Sequence, residues 1–272
     1  MNLHIKNCVC FHYEIIESLI VKYKEIINMD VTMNIYLSIV RNDSFINYIK
    51  HKYPTVIFGP PSQTDFEINA TIYDRDYGNI IRESNKYFYV SHEITPRMNE
   101  VSNVYFLTPL AKRHIYFDIL PFHNYKVQTK IPIFVIQGNI TRGRRNYSLL
   151  LEILKHTYDH DFRIKFIGKG TLPNDLTPFQ SKFILKLNLP FQEFHKEFSD
   201  AYCIMPLILK ESHKHYYTTK LTSTINYTRG YKLKCLIDKD LQNIYNLENV
   251  EIFNNKNDIV DAFKKTLYDF YN

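Results

Sequence analysis

The stretch IPIFVIQGNITRGRRNYSLLLEILKHTYDHDFRIKFIGKG, residues 131–170, decides the fold. Its first eight residues form a nearly continuous apolar run that ends at Gly138, as expected for a strand buried on both faces. An amphipathic helical pattern follows over 146–159, with leucine and isoleucine side chains on one stripe. A second apolar run, 162–170, ends in glycines. Strand, helix and strand in this order predict a parallel sheet covered by helices.

The same alternation extends from this stretch in both directions. Short apolar or alternating runs predict strands at 3–11, 33–40, 55–59, 68–74, 86–92 and 103–109, with helices at 13–27 and 44–53. Beyond residue 170 the alternation continues to a terminal helix at 257–272. The segment 121–132 is polar, lacks periodicity and contains two prolines, which predicts a linker. We therefore expect an α/β protein with two Rossmann-like domains, 1–125 and 126–272.

Composition bounds the possible functions. The chain has 272 residues, 45% of them hydrophobic, which is enough for a substantial core. Its net charge of +6 is mild for a protein that coats nucleic acid. The 22 Tyr and 19 Phe lie mostly inside apolar runs, where core packing explains them better than base stacking. We expect no nucleic-acid partner.

The sequence also favours a reducing, cytoplasmic location. The amino-terminal residues lack a long apolar stretch, so we expect no secretory leader, and no apolar run approaches the roughly 18 residues of a membrane span. The cysteines lie mostly within apolar segments, which predicts buried free thiols rather than disulfides or metal ligands. They are Cys8, Cys10, Cys203 and Cys235.

A basic loop follows the strand that ends at Gly138. It carries Arg142, Arg144 and Arg145 directly before the next predicted helix. An anion bound there would meet backbone N–H groups, the positive end of the helix dipole and several guanidinium groups. The alternative is an exposed basic loop with no ligand. The spacing favours an anion site.

Two further segments lie at predicted strand ends or helix starts. FIGKG places Gly168 and Lys169 at the end of a strand, the edge at which open α/β sheets bind ligands. KLTSTINYTRGYKLKCLI, residues 220–237, places Lys220, Thr222 and Ser223 around a predicted helix start. Hydroxyls and a lysine there suit phosphate oxygens. An ordinary turn and a threonine-rich helix entry are the alternatives.

Together, IQGNITRGRRNYSLL, FIGKG and KLTSTINYTRGYKLKCLI resemble the nucleotide-sugar-binding half of GT-B glycosyltransferases, particularly family 4. The resemblance implies a short GT-B fold, with two Rossmann-like domains facing across a cleft. It implies transfer of a sugar from a nucleotide-sugar donor to an acceptor hydroxyl of a glycan, protein or lipid, without a metal or other cofactor. Retention of anomeric configuration is the stereochemical course favoured by the family 4 likeness. The donor-binding residues it implies are Gly138, Arg142, Arg144, Arg145, Gly168, Lys169, Glu211, Thr222 and Ser223.

One feature of that family is missing. Its members carry two glutamates eight positions apart before the final glycine, whereas Glu211 is followed at that spacing by Thr219. Lys220 is then expected to assist catalysis by neutralising the leaving diphosphate. In the first half, the strand end YVSHEITPR presents His92 and Glu93, either of which suits the orientation or deprotonation of an acceptor hydroxyl. An ordinary polar strand end is the alternative.

Other functions stay open at this point. A nucleotide-sugar epimerase shares the architecture, and the absent glutamate also fits a non-catalytic module that binds a sugar or nucleotide. Metal-dependent GT-A chemistry would use a D-x-D triplet, of which Asp74–Asp76, Asp159–Asp161 and Asp238–Asp240 are present. His213 and His215 form an H-x-H pair that is more typical of a surface than of a metal site.

Overall fold

In the computed structural model, the chain divides into two compact units. The first comprises Met1–Leu120 with Thr219–Leu221, and the second comprises Pro121–Thr218 with Thr222–Asn272. The residues that the structure describes are 2–7, 17–18, 32–37, 43–54, 56–58, 78–83, 86–91, 104–106, 108–112, 114, 125–141 and 143–272. The domain limits expected from the sequence, 1–125 and 126–272, stay a prediction.

The first unit contains a six-stranded sheet in the order β3-β2-β1-β4-β5-β6. Its strands are β1 (Asn2–Asn7), β2 (Thr32–Leu37), β3 (Val56–Phe58), β4 (Gly78–Glu83), β5 (Lys86–Ser91) and β6 (Val104–Phe106). Helix α1, Asp43–Lys52, precedes β3 and buries Phe45, Ile46 and Ile49 along one stripe. The predicted elements 13–27, apart from Glu17 and Ser18, and 68–74 lie outside the described residues.

This sheet differs from the expected all-parallel arrangement. Strand β4 runs antiparallel to both β1 and β5, whereas the other pairs are parallel. Only two residues separate β4 from β5 in the sequence, and Glu83 pairs with Lys86. A connection this short joins only antiparallel strands, since a parallel pair needs a crossover of a dozen or more residues.

The second unit contains a six-stranded, wholly parallel sheet in the order β12-β11-β10-β7-β8-β9. Its strands are β7 (Ile133–Ile140), β8 (Arg163–Gly170), β9 (Phe183–Leu187), β10 (Cys203–Ile204), β11 (Lys234–Asp238) and β12 (Val250–Phe253). The α-helices are α2 (Tyr147–Thr157), α3 (Phe191–Lys196), α4 (His215–Thr218), α5 (Ser223–Gly230), α6 (Lys239–Tyr245) and α7 (Ile259–Tyr271). A 3₁₀ helix, Asn174–Lys182, lies between β8 and β9.

This strand order is that of a doubly wound Rossmann sheet. The chain builds outward from β7 to β9 on one side and then returns through β10 to build the other side. Ligands of such sheets bind outside the carboxyl ends of the strands where the order reverses, here between β7 and β10. The α/β, Rossmann-like class predicted from the sequence is confirmed.

Apolar and aromatic side chains form the core of the second unit on both sides of its sheet. The Phe263 ring of α7 packs on Phe134 of β7 and on Phe162, with centroids 4.3 and 5.1 Å apart. Elsewhere Phe198 stacks on Tyr227 and Tyr231 at 5.0 and 4.9 Å, which fixes the carboxyl half of α5. Aromatic contacts of this kind stabilise beyond the apolar area that they bury.

Cys203 and Cys235 lie buried on the neighbouring strands β10 and β11. Both are free thiols, as predicted, while Cys8 and Cys10 lie outside the described residues. Burial raises the pKa of the Cys203 thiol well above its usual value and that of Cys235 to about 12. Neither is therefore a reactive thiolate. Within the described residues, the helices are too short or too polar to cross a bilayer.

Candidate anion-binding site

The carboxyl end of β7 carries the arginine loop predicted from the sequence. Gly138 sits there with φ +109°, a conformation that side chains other than glycine rarely adopt. A Cβ at this position would lie 3.1 Å from Nη2 of Arg145. Glycine at 138 therefore lets the arginine lie directly over the end of the strand.

Arg145 is almost completely buried, with 4% of its surface exposed, yet its hydrogen-bond acceptors are all neutral. Nη2 donates to the carbonyl of Gln137 and, at 3.4 Å, to Oγ1 of Thr224. Nη1 donates to the carbonyl of Arg144 at 2.8 Å, and among the described residues Nε has no partner.

The guanidinium thus carries a buried positive charge that no described carboxylate pairs. Burial lowers the pKa of Arg145, and the nearby Tyr216 and Tyr147 hydroxyls act in the opposite direction. Arginine nonetheless stays protonated at physiological pH. A buried cation without a counter-ion is costly, and an anion is the ligand that compensates it.

The amino terminus of α5 lies beside Arg145. The N-cap residue, Thr222, makes no side-chain capping bond, so first-turn N–H groups of α5 lack the usual side-chain acceptor. Oγ of Ser223 and Oγ1 of Thr224 lie 3.4 and 3.5 Å from Oε1 of Gln137. Hydroxyl donors, free amides and the positive end of a helix dipole are all groups that bind phosphate oxygens.

Helix α2, which the sequence also offered as an anion site, has a capped amino terminus. Asn146 Oδ1 accepts from Ser148 N at 3.2 Å and from Ser148 Oγ at 2.6 Å. Its Nδ2 donates to Ser212 Oγ at 3.3 Å. One of the α2 amides expected to be free is therefore already bonded, which leaves α5 as the better donor of backbone N–H groups.

His213 lies in the same region, although the sequence favoured a surface position for it. The residue is 2% exposed, and its Nδ1 lies 2.8 Å from Ser212 Oγ. The ring stacks loosely on Tyr216, with centroids 6.2 Å apart. That expectation is wrong because 204–209 carries five apolar side chains, which draw the following turn into the interior.

The glycines of FIGKG have a packing reason that the sequence did not disclose. Gly168 pairs with Gly138 in the β7–β8 register, and a Cβ on Gly168 would lie 1.9 Å from the Gly138 carbonyl oxygen. A Cβ on Gly170 would lie 2.9 Å from the Ile140 carbonyl oxygen. These glycines allow two strand ends to approach each other, whether or not a ligand is bound.

The predicted site residues fall into three groups. Gly138, Arg145 and Ser223 come together around Gln137, with Gly168 beside Gly138. Arg144, Lys169 and Glu211 are exposed, and Thr222 is the buried N-cap of α5. Lys220 belongs to the first unit, and Arg142, His92 and Glu93 lie outside the described residues.

Sequence reasoning missed Gln137 and did not assign His213 to this site. A signal for Gln137 was present, because it is the only polar residue in the apolar run 131–137. A polar side chain at the end of a buried strand needs a partner, and here Ser223 and Thr224 are its partners. His213 had no comparable signal.

The D-x-D triplets that the structure describes have other contacts. Asp238 caps α6 by accepting from Leu241 N at 3.1 Å, and Asp240 pairs with Lys210 at 2.8 Å. Asp159 and Asp161 are exposed, and Asp74–Asp76 lies outside the described residues. In the described part of the chain, no group of three or more His, Cys, Asp or Glu side chains is placed to hold a metal ion.

Comparisons with known proteins concern architecture alone. No family model matches the sequence, and no curated protein matches it. Similar solved structures include a glycosyltransferase from Rickettsia africae ESF-5, at 12% identity and a TM-score of 0.44, covering 96% of this chain and 73% of that one. The heptosyltransferase WaaC of E. coli, solved with ADP, has 9% identity and a TM-score of 0.44, covering 100% and 98%. TarM has 14% identity and a TM-score of 0.42; the match covers 93% of this chain and 51% of TarM. At these values we draw no functional argument from them.

Proposed function

We propose that this chain is a glycosyltransferase that moves a sugar from a nucleotide-sugar donor to an acceptor hydroxyl, without a metal ion. The observation that carries the proposal is Arg145, a buried guanidinium without a described carboxylate partner. It lies at the reversal point of a Rossmann sheet, beside the amino terminus of α5. This is the position at which open α/β sheets bind their ligands.

The chemistry of a nucleotide sugar matches this arrangement. Its diphosphate carries two negative charges, and charge-assisted hydrogen bonds from an arginine are about twice as strong as neutral ones. When the sugar departs, the diphosphate gains further negative charge. Arg145 and the α5 amides would stabilise that charge as it develops, which is the role that a metal ion has in other transferases.

The remaining assignments rest on the sequence resemblance. Arg142, Arg144, Lys169, Glu211 and Thr222 are proposed donor contacts, together with Gly138, Gly168 and Ser223. Lys220 is proposed to neutralise the leaving diphosphate, and His92 or Glu93 to act on the acceptor. The acceptor is a glycan, protein or lipid, the proposed course is retaining, and the proposed location is the cytoplasm.

The test compares Arg145→Met with Lys155→Met, a charge removal on the exposed surface of α2, where Lys155 pairs with Glu152. Wild type is first screened by thermal shift against a panel of nucleotide sugars, in the presence of EDTA. Wild type and K155M are expected to be stabilised by at least one donor and to release its nucleoside diphosphate when acceptor is present. R145M is expected to lose both responses, since methionine keeps the volume but removes the charge.

Each outcome bears on the proposal. Failure of every donor to stabilise wild type, or equal responses in R145M and wild type, would contradict a diphosphate site at Arg145. Donor-dependent stabilisation without turnover would favour the non-catalytic module, for which the threonine at position 219 is the specific indication. Interconversion of the donor without acceptor would favour an epimerase.

A further inference from the structure

We propose that His213 is a proton-coupled member of the anion site: its imidazole is neutral in the empty protein and takes up a proton when an anion binds beside Arg145. The inference rests on the proposed function, because it assigns a second residue to the same donor site. It adds a property that the diphosphate site alone does not have, namely that donor binding consumes a proton.

Hydrogen bonds connect His213 to the loop that carries Arg145. Asn146, the residue after Arg145, donates from Nδ2 to Ser212 Oγ, and Ser212 Oγ lies 2.8 Å from Nδ1 of His213. Ser212 Oγ also donates to the Leu209 carbonyl at 3.4 Å, so this serine links the Arg145 loop, the turn that begins at Leu209 and the His213 ring.

The groups that face His213 are cationic or neutral. Arg145, on the β7–α2 loop, acts on the ring electrostatically. His215 and Tyr216 of α4 and Ser212 of the preceding turn lie close to it. Among the described residues, no carboxylate contacts the ring to balance a second positive charge. Two adjacent buried cations repel, so the imidazole stays neutral while Arg145 keeps its charge.

The direction of the pKa shift agrees with this geometry. Burial lowers the pKa of His213, and His215 and Arg145 lower it further, against a smaller opposing effect of the Leu209 backbone. An anion placed beside Arg145 cancels the repulsion and favours the charged imidazole. The pKa in the complex therefore lies above that of the empty protein, and anion affinity rises as the pH falls between these two values.

The test measures proton uptake on binding. UDP-glucose and ADP-glucose are the probes, because their diphosphate diesters keep the same charge from about pH 5.5 to 8.5. Calorimetric titrations at pH 6.5, in two buffers with different ionisation enthalpies, give the number of protons bound per site. For wild type we expect roughly half a proton or more, with affinity rising up to about tenfold between pH 8 and 6.

Matched variants assign the proton. His213→Gln keeps an amide that hydrogen-bonds to Ser212 but does not titrate, so it is expected to bind a probe with no proton uptake and a flat pH profile. His215→Gln is the control from the neighbouring position: it removes a group that lowers the pKa of His213, but it should still take up a proton when a probe binds. His213→Asn is a second variant if the first fails to fold.

The outcomes separate this inference from the proposed function. Binding of either probe by wild type without proton uptake overturns the role of His213 and leaves the donor site intact. The same is true if H213Q or H213N takes up as many protons as wild type. If neither probe binds wild type, the proposed donor site fails and the inference fails with it.

Discussion

Arg145 is an expensive residue to bury without a counter-ion. Removing an ion of this size from water costs several kcal/mol, and a neutral hydrogen bond returns only about 1 kcal/mol of it. Arg145 has its closest acceptors in the Gln137 and Arg144 carbonyls. A position kept at such a cost is best explained by a bound anion, because an apolar side chain of the same size would pack there more cheaply.

Gly168 is the residue of this site whose substitution has the clearest structural consequence. In Gly168→Ala the new Cβ would lie 1.9 Å from a backbone oxygen of β7, which no side-chain rotation relieves. We expect a loss of about 3 kcal/mol or more in the free energy of unfolding, measured by urea denaturation. Gly143→Ala is the control.

Position 143 is a useful control because a Cβ there meets nothing within 4 Å, in the same arginine loop. We expect G143A to change stability by less than about 0.5 kcal/mol. A similar stability for both variants would show that β7 and β8 separate easily at their ends. The FIGKG glycine would then have to be explained by a ligand.

At single positions, the sequence identified residue types better than it identified contacts. The three loop arginines were recognised as an anion-binding pattern, but nothing in their spacing distinguishes the buried Arg145 from the exposed Arg144. That difference depends on Gly138, whose missing side chain makes room for one guanidinium. His213 was unpredictable for a similar reason, since its burial depends on how the segment after β10 packs.

Strand β8 is joined to the segment after α3 by a buried ion pair. Lys165, with its side chain 3% exposed, donates to Glu197 at 3.0 Å and to Asp200 at 2.6 Å. Lys165→Met should lower the free energy of unfolding by about 1–2 kcal/mol at pH 7, because it leaves two carboxylates without their buried partner. The loss stays this small because solvent partly screens both carboxylates. Lys155→Met is the control, since Lys155 pairs with Glu152 on the exposed surface of α2.

The effect of Lys165 should depend on pH in a defined direction. Burial alone would raise the pKa of Glu197, but hydrogen bonds from Lys165 and Lys186 outweigh it and hold the pKa below its ordinary value. The stabilisation is therefore fully present above the unfolded-chain value of about 4.3 and is lost as the pH falls through the folded value. In urea denaturation, the difference in the free energy of unfolding between wild type and K165M should be smaller at pH 3.5 than at pH 7. A constant gap would mean that K165M acts through packing.

Elements of the second unit were more predictable than those of the first. The continuous apolar run 131–138 and the helical stripe 146–159 correspond to β7 and α2 within a few residues. Strand β4 was missed because its sequence, GNIIRE, is short and partly polar. Its antiparallel direction was also unpredictable, because a hydrophobic pattern is the same whichever way the strand runs. The antiparallel direction follows from the short connection to β5. That connection is known only once the structure shows Glu83 paired with Lys86.

Across the whole molecule, the described residues of the candidate anion site are contained in the second unit. Gln137, Arg145, His213 and Thr224 all belong to it, as does the hydrophobic core cluster between Phe134 and Leu267. A unit with its own core and of ordinary domain size is expected to fold alone. The short segment Thr219–Leu221 interrupts the second unit in the sequence. It belongs to the first unit, although α4 and α5 on either side of it belong to the second.

We therefore predict that a fragment comprising residues 121–272 folds cooperatively and keeps the anion-induced thermal shift of the full chain. Leu221, which is buried, provides the internal control. Leu221→Ser should destabilise the full chain by about 2 kcal/mol, because a polar side chain replaces an apolar one in the interior, and should cost the fragment much less.

The measurements are near-ultraviolet circular dichroism and thermal shift with the donor that stabilises wild type. A fragment without fixed tertiary structure would contradict the independence of the second unit. A folded fragment that no longer responds to donor would show that residues of the first unit complete the site, and Lys220 would then be the first to test. Equal losses from L221S in fragment and full chain would place the Leu221 contacts in the second unit.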